Sequence, residues 1–219
     1  KNLFSRYSES KMWELYQDPL LPENLDFRFK LFEIFCLPGI MNQTTQNFQW
    51  VLLIDEKLPE KYRTRLQMLT RERQNFHLHV LGQNQKVDEN NWLKPYIREA
   101  STFLITTNLD DDDVMPLNYL ETIQNDPMRA IQAGTLHPVK LYATQNVKQW
   151  DEVCTRKSPY GMLCRKIPTP SNIGFSLLID KKYYNINVWK LRHTLAEKYF
   201  NPIRGTVNKN EEFGRDTLR

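Results

Sequence analysis

The chain has 219 residues, 40% of them hydrophobic and 26% charged, which suits one full-sized core and excludes a disordered or low-complexity protein. Thirty Lys and Arg against 26 Asp and Glu leave a formal charge of +4, too small and too dispersed to imply nucleic-acid binding. The longest apolar runs, residues 51–54 and 175–179, are too short to span a bilayer, so no transmembrane segment is expected.

Three cysteines (Cys36, Cys154, Cys164) form an odd set without paired metal spacing, and the expectation is a reduced, cytoplasmic protein without structural zinc. The chain opens on Lys1, with no apolar targeting segment, and the missing Met leads us to expect residues before it. Residues 3–4 read as a short strand entering the polar loop Ser5-Arg6-Tyr7-Ser8, and residues 11–24 as an irregular insertion. Phe27, Leu31, Ile34, Phe35 and Met41 recur three to four apart, one stripe of a helix with Asp26 as its N-cap and a kink at Pro38-Gly39. Residues 43–47 lack a period and read as loop.

Residues 48–54 are a compact apolar run ending at Asp55-Glu56, a strand buried on both faces. Residues 60–69 predict a helix, 76–81 a strand stopped by Gly82, and 88–100 a helix interrupted by Pro95. Residues 102–109 are the clearest strand, and 116–124 predict a helix with Pro116 in its first turn. Interleaved strands and helices predict an α/β domain, Rossmann-like, with a mainly parallel central sheet. Further on, residues 131–133, 139–143, 161–165 and 175–179 read as short strands, 187–199 as a helix and 201–219 as a polar, mobile tail. One domain is expected over residues 1–200, with a first half to 125 and a second half from 126.

Asn108-Leu109-Asp110-Asp111-Asp112-Asp113 stands out, because four successive carboxylates after a buried strand raise one another's pKa values or demand a cation. If the chain stays extended, Asp110 and Asp112 point one way and Asp111 the other. Magnesium or manganese takes one or two carboxylates together with phosphate oxygens and water. The strand end is also where open α/β sheets bind ligands. The competing reading is a run of acids that caps and charges the next helix.

Thr106 to Asp113 resembles the metal-binding Asp-x-Asp segment of nucleotide-sugar glycosyltransferases of the A-type fold, family-2-like, and within them most resembles the rhamnosyltransferase group. Ser5-Arg6-Tyr7, Leu31-Phe32-Glu33, Cys36-Leu37-Pro38, Gln43-Thr44, Phe48, Trp50, Asp55 and residues 172–178 resemble other segments of that group. The resemblance implies Asp112 as chief metal ligand, with Asp110 on the metal or ribose side, Asp113 adjacent and Asp111 near the donor. It further implies Asp55 at the nucleotide base or ribose and Arg6 beside the nucleotide. Asn108 departs from the arginine usual there, which removes a possible diphosphate contact.

Inverting transfer needs a general base on the acceptor side. Asp180 is preferred because it ends an apolar run as Asp55 does, with Asp151 and Glu152 as alternatives. His193 is a candidate for completing the metal shell, whereas His77 and His79, alternating on a strand, read as packing. The expected function is transfer of a sugar, dependent on Mn²⁺ or Mg²⁺, from a nucleoside diphosphate-sugar to a glycan or other hydroxyl acceptor. The alternatives are a metal-dependent nucleotidyl or phosphoryl transferase without a P-loop, and a non-catalytic nucleotide- or glycan-binding domain. Oligomeric state is left open.

Overall fold

The computed structural model describes residues 18, 20–82, 90–144, 146–150, 162–166, 175–183, 191 and 216–218. The first helix, α1 (Pro22–Leu31), begins with Pro22 at its first position, where the missing N–H costs nothing. It continues through a π-helical stretch, Phe32–Cys36, into α2 (Leu37–Met41). Leu37 N–H donates to the Phe32 carbonyl, the wider π spacing, just before Pro38, which has no N–H to give. The expected kink at Pro38-Gly39 is thus taken up as a local widening of one continuous helical run.

The expected stripe lies on the wrong phase. Leu25, Phe29, Phe32, Cys36 and Ile40 are buried, whereas Phe27 is 46% and Ile34 63% exposed. Asp26 is not an N-cap either: it lies inside α1, and its carboxylate accepts from the Tyr62 hydroxyl at 2.8 Å. That hydrogen bond, chiefly, holds its pKa below the usual carboxylate value.

Next come β1 (Trp50–Asp55), α3 (Glu60–Thr70) and β2 (Phe76–Leu81). β1 and β2 pair in parallel, Trp50 opposite Phe76 and Asp55 opposite Leu81. Tyr62 and Leu66 are the buried face of α3. His77 and His79 do share a side, and both rings contact Tyr96. Tyr96 ends a 3₁₀ helix, Asn90–Tyr96, in place of the longer helix expected there.

β3 (Phe103–Thr107) leads to the acids and then to α4 (Tyr119–Gln132). α4 runs through Pro127, so residues 131–132 are helix rather than strand. Pro127 removes one backbone rung, but it is buried on the same face as Tyr119, Leu120 and Ile123. The helix stops at Gly134, whose φ of 67° is the left-handed conformation glycine tolerates. Gly134 N–H donates to Ile131 and Thr135 N–H to Ala130, a Schellman closure.

β4 (Val139–Thr144), β5 (Asn146–Trp150), β6 (Met162–Lys166), β7 (Ser176–Asp180) and β8 (Asp216–Leu218) complete the described elements. β5 was not anticipated, and β8 comes from the segment read as a polar tail. The helix expected over residues 187–199 lies outside the described residues apart from Leu191.

The α/β class is as expected, but the pairing is mixed. Among the described residues, strands 3-7-4-8 form one sheet, β1 and β2 a second, and β5 and β6 a third. β7 is antiparallel to both β3 and β4, β5 to β6, and only β1–β2 and β4–β8 are parallel. The apolar side chains of β7 alternate between faces. Leu178 joins the main core with Phe29, Phe32, Ile54, Leu66 and Ile123, while Leu177 and Ile179 pack with Leu104, Val139 and Leu141.

Phe32 is fully buried and stacks on Trp50 with ring centroids 5.9 Å apart. Phe32→Ala should therefore cost about 3–5 kcal/mol in urea unfolding, while Ile34→Ala should stay within about 0.5 kcal/mol. Equal losses for the two variants would place the buried face of this helix incorrectly.

Candidate metal centre at the end of β3

Asn108 N–H donates to the Phe175 carbonyl at 3.0 Å, so the pairing of β3 extends one residue beyond Thr107. The chain then turns, with Asp113 N–H donating to the Asp110 carbonyl at 3.1 Å. The extended course expected from the sequence would separate Asp113 from Asp110. The turn instead brings them together. One carboxylate oxygen from each of Asp110, Asp112 and Asp113 lies within 4.8 Å of the other two.

Asp111 takes the other direction, and it is 7% exposed. Arg28 of α1 grips it with both ends of its fork, Nε to Oδ2 at 3.4 Å and Nη2 to Oδ1. The same Nη2 lies 3.8 Å from Asp112 Oδ2. The fourth acid is thus paired with a cation from a helix 83 residues earlier.

Burial pushes the Asp111 carboxyl up to about 7, with Arg28 opposing the shift and Asp112 adding to it. Burial likewise pushes Asp113 up to about 7, helped by the charges of Asp112 and Asp110. The Cys36 thiol, buried behind the turn, is raised well above its usual value by desolvation first and by the acids second. These shifts describe a pocket of negative charge held partly out of water.

The donor set suits a hard divalent ion. On an octahedral magnesium, oxygens lie about 3.0 Å apart when adjacent and about 4.2 Å when opposite, so three carboxylate oxygens within 4.8 Å of one another would close by up to about 2 Å, within reach of side-chain rotation, to share one ion. All three donors are carboxylate oxygens, the ligand type for Mg²⁺ and Mn²⁺ rather than zinc.

Asp55 ends β1 as anticipated, and its Oδ1 accepts from Lys57 N–H at 2.8 Å. Asp180 is differently placed. β7 runs antiparallel to β3, pairing Asp180 with Phe103 and Ser176 with Thr107. Four residues of strand, about 13 Å, therefore separate Asp180 from the β3 end that bears the acids. Asp180 does end β7, as anticipated, but the antiparallel pairing puts that end away from the acids. Its Oδ1 caps Lys182 N–H at 2.9 Å, the main cause of its lowered pKa, and Lys182 Nζ lies 3.1 Å from Oδ2. Arg6, Asp151, Glu152 and His193 lie outside the described residues.

A cavity of about 450 Å³ lies between β1 and β3, lined by residues 50–53 and 103–107. Most of its wall is apolar, including Cys36, Ile40, Leu120 and Ile123, and of the four acids only Asp111 reaches it. The rest of the wall carries polar groups, among them Asn47, Arg98, Thr107 and Asn108.

The family model described as "Putative rhamnosyl transferase" matches residues 6–155, more than half of the chain. The chain belongs to that family. The matched span contains β1 to β5 and the whole acid turn. No curated protein and no solved structure matches the chain. Among the described residues, no helix is long and apolar enough to cross a membrane.

Arg28 was missed from sequence because nothing in local spacing links it to an acid 83 positions away. Its one visible sign is a charge set among Phe27, Phe29 and Leu31 in a helix rich in aromatics.

Acids with raised folded-state pKa values bind protons more tightly in the folded chain than in the unfolded chain. Metal-free stability should therefore fall as pH rises from about 4 to about 7, through Asp111 and Asp113. Asp26 and Asp126 have lowered values, so their contributions are lost only below about pH 4 and do not cancel this window. Thermal unfolding should show the metal-free protein more stable at pH 5.5 than at pH 8. Mn²⁺ should raise Tm strongly at pH 8 and weakly at pH 5.5, because binding must displace the Asp113 proton.

Proposed function

We propose that the chain transfers a sugar from a nucleoside diphosphate-sugar to a glycan or other hydroxyl acceptor, with a divalent Mn²⁺ or Mg²⁺ ion and with inversion, on an A-type glycosyltransferase fold. One observation carries this reading: a family member of rhamnosyl-transferase description gathers Asp110, Asp112 and Asp113 at one strand end. Family membership supports the sugar-transfer chemistry, and the clustered oxygens support the ion.

Asp112, Asp110 and Asp113 would hold the ion, with His193 as the proposed further ligand. When bound, the ion supplies positive charge to the oxygens of the donor's diphosphate. Asp55 would accept hydrogen bonds from the base or the ribose diol, as a strand-end carboxylate can. Arg6 would face the phosphates, its planar fork matched to their oxygens.

On the acceptor side, a carboxylate takes the hydroxyl proton as that oxygen attacks the anomeric carbon. The bond from that carbon to the diphosphate oxygen breaks on the opposite side, which inverts the centre. With Asp180 at the other end of β3, Asp151 or Glu152 is the proposed base. Arg28 stays with Asp111 throughout, keeping the fourth negative charge out of the site that must receive a diphosphate.

Calorimetry with nucleoside diphosphates, with and without Mn²⁺, tests the reading. Binding should require the metal and weaken by at least about tenfold in Asp112→Ala, the loss of about 1.4 kcal/mol or more. Full, metal-independent binding in that variant would contradict the assignment. Turnover of the matching nucleotide-sugar should release nucleoside diphosphate, and release of pyrophosphate would indicate nucleotidyl transfer instead. Asp180→Ala should keep its transfer rate within about twofold, since the base lies elsewhere.

A further inference from the structure

Gln43 is a polar side chain with 4% exposure, in a segment the sequence assigns to loop. Its amide makes three hydrogen bonds, each to a backbone group. Nε2 donates to the Gly39 carbonyl at 3.0 Å and to the Pro116 carbonyl at 2.9 Å. Oε1 accepts from Leu120 N–H at 3.2 Å, one of the N–H groups that the first turn of α4 leaves without a helical partner. Both amide protons and one oxygen lone pair are thus used, and no other residue type of this size offers two donors and an acceptor in one plane.

The strands of chain it joins matter more than the bonds themselves. Gly39 belongs to α2, while Pro116 and Leu120 lie three and seven residues beyond Asp113. Neighbouring contacts follow the same seam: Thr44 N–H donates to the Leu117 carbonyl at 2.8 Å, and Thr44 Oγ1 to Glu121 Oε2 at 2.7 Å. At Gly39 there is no room for a β-carbon, which would run into the Val114 side chain. Hence the segment that leaves the acid turn is pressed against α2 and pinned there.

The front of the turn is fixed independently, by Asn108 on Phe175 and by Arg28 on Asp111. With only the front fixed, Asp113 could swing with the chain that follows it. We propose that Gln43 is a positioning residue for the metal centre: by locking residues 116–120 onto α2, it sets where Asp112 and Asp113 present their oxygens. This rests on the metal-binding reading proposed above.

The test compares wild type, Gln43→Met and Gln43→Glu for Mn²⁺ affinity by calorimetry and for the electron paramagnetic resonance spectrum of bound Mn²⁺, with Tm recorded alongside. Gln43→Met fills the space without hydrogen bonds. Gln43→Glu keeps the shape and sets a carboxylate against two carbonyls, and it serves if the methionine variant does not fold. The expected result is Mn²⁺ affinity weaker by about tenfold in the folded variants, with a broadened or shifted spectrum. A purely structural role would lower Tm and leave affinity and spectrum as in wild type, which would overturn the inference alone. Wild type that binds no Mn²⁺ would overturn the metal reading and this inference with it.

Discussion

Asp111 and Arg28 divide an otherwise untenable run of charge. Four carboxylates follow one another after β3, and a site that faced all four forward would set four negative charges against a divalent ion's two. Turning one acid back onto a guanidinium neutralises it and leaves three whose oxygens cluster as a metal ion would require. The arrangement needs α1 at that place, and α1 is there because Leu25, Phe29 and Phe32 are buried in the same core as Ile54, Leu66 and Ile123. Charge separation at the site is thus set by hydrophobic packing some distance from it.

The π stretch and Gly39 extend the same logic towards the other end of the helix. Widening at Phe32–Cys36 carries the chain past Pro38 without breaking it, so α2 still lies against the segment after the acids. Gly39 lets Val114 approach, and Gln43 secures the contact with buried hydrogen bonds, where an unpaired amide would cost about 1–3 kcal/mol. One helical run therefore holds both the front and the back of the acid turn. A short loop tied at both ends can keep like charges close before an ion arrives.

Much of this was legible in the sequence where local chemistry decides structure. β1, β2, β3 and β7 were found at nearly their observed bounds, because compact β-branched and apolar runs stopped by Gly or Asp have few other solutions. The acids, and the opposite direction of Asp111, followed from composition and alternation, although a turn rather than an extended strand produces them. Strand direction was not legible. An unbroken apolar run indicates burial on both faces, which usually means a parallel sheet, yet β7 achieves it while antiparallel to both neighbours. That one difference puts Asp180 at the opposite end of β3 from the acids. The phase of α1 was also hidden, since Phe27, Phe29, Leu31, Phe32, Ile34 and Phe35 offer two apolar stripes, and only packing against Trp50 and Tyr62 chooses between them. Arg28 and the amide of Gln43 act across 83 and 73 positions, beyond any spacing rule.

The central claim is that three of the four acids form one metal site while the fourth belongs to Arg28. The most direct measurement is anomalous scattering from crystals grown with Mn²⁺ and a nucleoside diphosphate. The account predicts a single manganese peak bonded at about 2.1–2.2 Å by Asp112 and at least one of Asp110 and Asp113, bridged to the diphosphate, with Asp111 still on Arg28. A peak ligated by Asp111, or diphosphate bound with no metal at this turn, would contradict it.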